Sequence, residues 1–116
     1  MKEYKFKFEV EGKEYEMIVN LNVLQELQEK YGSIKKWGEL TDGQSGEVDI
    51  EALRFGYTKM LNEAIEINND ENGTNTPLFN EKQAGRLITK IGMKKATENL
   101  NEAFINGTKT DEPKNV

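Results

Sequence analysis

The stretch YKFKFEVEGKEYEMIV, residues 4–19, decides the architecture. Tyr4, Phe6, Phe8 and Val10 alternate with Lys5, Lys7 and Glu9. That period of two sends aromatic side chains to one face of a sheet and charges to the other. Glu11-Gly12 supplies a two-residue turn, in which glycine accepts the positive φ of a tight hairpin. Tyr15, Met17 and Val19 return in alternation with Glu14, Glu16 and Ile18. A lone hairpin is marginal in water, so its aromatic face needs a helical cover.

The rest of the chain supplies that cover. Asn20 or Asn22 can cap a helix over 21–31, Asn22 with Gln25 resembling a capping box. Its expected apolar stripe is Leu21, Leu24, Leu27 and Tyr31, and Gly32 stops it. Ser33 can cap a short helix over 34–40 that carries the single tryptophan, Trp37. A polar, Gly-containing loop follows from Thr41 to Glu47. Asp49 then caps the longest helix, about 50–68, with Leu53, Tyr57, Met60, Leu61, Ala64 and Ile67 as its buried stripe. Phe55, Gly56 and Ile65 lie off that stripe and widen the apolar surface. This suits either a central core helix or one that also meets a partner.

Residues 68–76 read as a polar loop. Asn80, with Gln83 three positions on, caps a helix over 81–91, and Phe79 can staple onto Ala84. Ala84, Leu87, Ile88 and Ile91 face inward, and Gly92 breaks the run. A last helix over 93–106 has the stripe Met93, Ala96, Leu100, Ala103 and Phe104. Residues 108–116 are charged, contain Pro113 and are expected to form a flexible tail. The expectation is one α+β domain over 1–107, an N-terminal antiparallel hairpin against four to five helices.

Composition narrows the chemistry. The 116 residues contain no Cys and no His, which removes disulfides, Ser–His–Asp and Cys–His centres, and Cys- or His-ligated zinc. Arginine is limited to Arg54 and Arg86, and serine to Ser33 and Ser45. No glycine-rich loop has phosphate-binding spacing. Paired carboxylates remain conceivable, but Glu26, Glu29 and Glu63 sit beside lysines at helical spacing, as solvated ion pairs do. The chain is therefore expected to be no enzyme and to need no cofactor. Net charge is −5 with signs interleaved, which disfavours nucleic acid. The first ten residues lack the apolar core of a signal peptide, and no apolar run approaches a membrane span. The expectation is a cytoplasmic protein.

Two features invite binding hypotheses. Asn68-x-Asp70-x-Asn72-Gly73 imitates the opening of a calcium loop, but Phe79 stands where the bidentate glutamate belongs. A plain helix–helix connection is the favoured reading. Tyr31, Trp37, Phe55 and Phe104 are candidate partner anchors, because aromatic residues dominate binding hot spots. Core packing is the favoured reading of Tyr31, Trp37 and Phe104. Trp37 stands apart, since full burial is hard to arrange on a short helix between Lys36 and Gly38.

The order of elements resembles the tail assembly chaperones of long-tailed phages and their prophages. The likeness rests on the hairpin with its Glu-Gly-Lys-Glu turn and on the Leu-x-x-Leu helix at 24–27 ending Glu-Lys-Tyr-Gly. It rests also on Leu-Asn-Glu-Ala at 61–64 and on the Gly-broken helix pair 80–91 and 93–106. It covers residues 3–107 and includes no invariant motif. The resemblance implies a non-catalytic morphogenesis protein that coats the tape-measure protein, aids tail-tube assembly and self-associates. It also implies a longer product made by frameshifting, for which codons of Pro113-Lys114-Asn115 could supply a slippery site. A structural connector retained in the virion and a small ligand- or calcium-binding module are the alternatives.

Overall fold

Strand β1 (Lys5–Val10) pairs antiparallel with β2 (Lys13–Ile18), placing Phe8 opposite Tyr15 and Phe6 opposite Met17. Five helices follow: α1 (Leu21–Tyr31), α2 (Ile34–Thr41), α3 (Ile50–Asn72), α4 (Glu81–Ile91) and α5 (Met93–Gly107). This is the expected α+β fold. The computed structural model describes residues 5–43 and 46–108. Tyr4 of the expected hairpin and residues 109–116 of the expected tail lie outside the described residues.

At the hairpin tip both Glu11 (φ 52°) and Gly12 (φ 83°) take positive φ, as the turn matching the strands' right-handed twist demands. Phe8 stacks on Tyr15, centroids 5.7 Å apart, and meets Tyr57 of α3 edge-on at 6.5 Å. The alternation ends at Ile18, which is buried along with Met17 and Val19, so the open end of the hairpin is covered on both faces.

Side chains set the helix starts. Asn20, rather than Asn22, caps α1 by accepting from the Val23 amide. Both asparagines also donate through their side-chain amides to Glu63 of α3, at 2.8 and 3.1 Å. Ser33 caps α2, Asp49 caps α3, and Asn80 with Gln83 forms a reciprocal capping box on α4. Gly92 (φ 93°) separates α4 from α5.

Three expectations need correction. The buried face of α1 is Val23 and Leu27, with Leu24 and Tyr31 at its margin, while Leu21 is 71% exposed. A stripe of two successive three-residue steps drifts by about 120° around a helix, so Leu21 and Leu27 cannot share a face. Met93 is likewise exposed rather than on the buried stripe of α5. Leu21, Ile50 and Met93 are each the first residue of a helix. Helical side chains tilt toward the N-terminus, so these three project past the ends of their helices.

The third correction is the length of α3, which runs to Asn72 instead of residue 68. Polar composition does not stop a helix that lacks a breaker. Gly73, left-handed at φ 66°, is the first residue that does, and its amide and that of Thr74 both bond Asn69 O. The connection after it is held to α3 by two asparagines, seven residues apart and so on one helix face. Asn62 donates to Phe79 O and accepts from the Phe79 amide, at 2.9 and 2.7 Å. Asn69 makes the same reciprocal pair with Thr76.

Helix α3 is a central core helix. Ala52, Leu53, Phe55, Gly56, Tyr57, Thr58, Met60, Leu61 and Ala64 are all buried. Around it one core joins the hairpin to every helix, from Phe6 and Met17 through Val23, Leu27 and Trp37 to Leu87, Leu100 and Ala103. The buried Tyr57 hydroxyl donates to Ala96 O at 2.6 Å, tying α3 to α5, and burial raises its pKa.

Candidate functional site

The four aromatic residues singled out from the sequence meet in two pairs. Trp37 packs on Phe104 with centroids 5.4 Å apart, and Tyr31 packs edge-on to Phe55 at 5.7 Å. Trp37 is only 2% exposed, fully buried where its short helix makes burial hard to arrange. The reason lies on α3. A Cβ at Gly56 would stand 2.6 Å from the indole, so glycine there makes the seat, and the ring nitrogen donates to Ala52 O at 3.0 Å. Phe55 is also buried, at 8% exposure. Tyr31 and Phe104 are half-buried and retain exposed edges.

A charged collar surrounds the Tyr31–Phe55 pair. Lys30 and Lys59 lie 5.1 and 5.2 Å from the Phe55 centroid, within cation–π range. Lys30 pairs with Glu51, Lys59 pairs with Glu26, and the Tyr31 hydroxyl donates to Glu51 at 2.6 Å. That hydrogen bond, aided by Lys30, holds the Glu51 carboxyl below its ordinary pKa. Partial burial, reinforced by Glu51, drives the Tyr31 phenol up. Every charge in the collar has a partner within the fold, and the collar ties α1 to α3.

The calcium-like segment is differently placed from its sequence reading. Asn68, Asp70 and Asn72 are helical, so successive members are turned by about 200° and do not converge as loop ligands would. Asn68 instead donates to Glu16 of β2 at 3.0 Å. Among the described residues, no group of three or more Asp or Glu side chains could hold a metal ion. No helix among them is long and apolar enough to cross a membrane.

Two grooves flank α3. The larger, about 450 Å³, lies between β2, α3 and the connection to α4. Tyr15, Leu61, Ala64, Ile65, Leu78 and Phe79 form its apolar lining, with Leu78 46% exposed at its rim. The smaller, about 320 Å³, is a cleft between α3 and α4 that Met93 of α5 also lines. Leu53, Ile88 and Gly85 line it, Ile50 and Met93 stand exposed at its rim, and Arg54 crosses its wall. Sequence reasoning passed over Ile50 and Arg54 and placed Met93 in the core. The available signal was an arginine set among the apolar residues that open α3. Comparison with protein-family models, curated proteins and solved structures finds no match to this chain.

Proposed function

We propose that the protein is a non-catalytic assembly chaperone of a phage or prophage tail. In this reading it acts in the host cytoplasm, binds apolar helical stripes of the tape-measure protein and aids tail-tube assembly. One observation carries the binding part: large apolar side chains stand at the rims of two grooves, one against the first turns of the central helix and one further along it. A solvated acidic body with apolar grooves is what a holdase needs, since a long apolar-striped client aggregates until the tube encloses it. The identity of the client rests on the resemblance in element order and local phrases.

Co-expression tests the proposal. A tape-measure protein encoded beside this gene should stay in the supernatant with the chain and precipitate without it; equal precipitation in both cases would sink the reading. Mass spectrometry of purified particles separates a chaperone, which should be absent, from a connector retained in the virion.

A further inference from the structure

We infer that the α3–α4 cleft selects a partner helix that carries a carboxylate beside its apolar anchors, and that Arg54 makes the selection. This rests on the binding reading above and adds the chemistry of one site. Among the described residues, Arg54 is the only charged one lining the cleft. Gly85 lets it lie there, since a Cβ at that position would come within 3.2 Å of the arginine Cδ. Its Nε is buried and has no hydrogen-bond acceptor among the described residues. Its ion pair among the described residues is a long one, Nη2 to Glu81 Oε1 at 3.5 Å, between half-exposed groups. Exposed pairs of this kind contribute little, so a better-placed carboxylate can displace Glu81.

The remaining walls define the rest of the occupant. Leu53, Ile88, Ile50 and Met93 offer only apolar surface, and the Thr89 hydroxyl is already given to Gly85 O. All seven lining residues are helical, so the cleft has no free backbone edge for an extended peptide. A strand docked there would leave its own amides unpaired, whereas a helix satisfies them internally. About 320 Å³, open between two exposed apolar rims, accommodates a few aliphatic side chains from one helix face.

The test uses the full chain, 15N-labelled, and two synthetic helical Ala/Leu/Lys peptides. Each has leucines four residues apart, and they differ only by one Glu or Gln on the same face. The Glu peptide should bind about fivefold tighter and shift the amides of Gly85, Thr89 and Met93. This preference runs against the net charge of −5, so diffuse attraction cannot produce it. Arg54→Gln should equalise the peptides, and Glu81→Gln should widen the gap. Ile50→Asn, at an exposed rim position, should weaken both alike. Should Arg54→Gln fail to fold, Glu81→Gln and Ile50→Asn still decide.

Equal affinities in the unmodified chain, a preference that survives Arg54→Gln, no saturable binding, or shifts confined to the β2–α3 groove would each overturn the inference. So would concentration-dependent shifts of the cleft residues without peptide, which mark a second copy as the occupant. A client held soluble by the Arg54→Gln chain would remove the cleft from the assembly reading and leave that reading standing. Peptide selectivity without client solubilisation would do the reverse.

Discussion

The seam where α2 meets α3 and the seam where α4 meets α3 both use a helical glycine for close approach, yet they are filled by opposite chemistry. At Gly56 the filler is an indole, whose single donor is satisfied by one carbonyl, Ala52 O. At Gly85 it is a guanidinium, whose five donors are too many for the neighbours available, and Nε is left over. The first seam is closed and apolar. The second carries Ile50 and Met93 in solvent, 66% and 43% exposed. Stability is concentrated at one side of α3 and unspent binding capacity at the other.

Breaking the closed seam should have the largest effect. Trp37→Ala removes the most bulky fully buried side chain and should cost about 3–5 kcal/mol in urea denaturation. A loss under about 1 kcal/mol would show that the indole is not the keystone described here. Next come the two glycines as a matched pair. Gly56→Ala should destabilise by about 1–3 kcal/mol, because the new methyl meets a ring that cannot yield. Gly85→Ala should fall within about 1 kcal/mol of the parent, since the Arg54 chain can swing away and alanine favours the helix. Equal losses at both positions would erase the contrast.

Smaller effects sharpen it. Ile50→Ser and Met93→Ser, at exposed rim positions, should change stability by no more than about 0.5 kcal/mol while weakening capture of an apolar helix. The smallest effect concerns pH. Glu51 is held below its ordinary value of 4.5 by the Tyr31 hydroxyl and Lys30. A depressed acid contributes stability above its unfolded pKa and loses it as pH falls toward the folded one. The chain should therefore lose a little stability on acidification below about pH 4.5, and Glu51→Gln should flatten that part of the profile. An unchanged profile would mean that Tyr31 and Glu51 do not stay paired in solution.

The parts legible in the sequence were those whose cause is local. Ser33, Asp49 and Asn80 cap because the amide they accept from is three residues away. The hairpin register follows from a two-residue turn. What escaped depends on residues far apart in the chain. The burial of Trp37 is decided by Gly56, on another helix. The extension of α3 past residue 68 is supported by Asn68 and Asn69 bonding Glu16 and Thr76, neither identifiable as a partner from spacing. Candidate anchors chosen for aromaticity proved to be paired with one another, because large rings are the cheapest way to fill a small core. The surface of the α3–α4 cleft is aliphatic and cationic, and it is visible only once α3 and α4 are laid side by side.

Gly107, in the last turn of α5, sits so close to the end of the hairpin that a Cβ there would stand 2.8 Å from Val19 Cβ. Chains emerge from the ribosome N-terminus first, so the hairpin is made long before the helix that seats against it. Translation must pass through α5 before Val19 gains this cover, so the contact of Gly107 with Val19 is among the last a nascent chain can make. A nascent chain stalled short of α5 should therefore engage ribosome-associated holdases, and release of those holdases would time that contact.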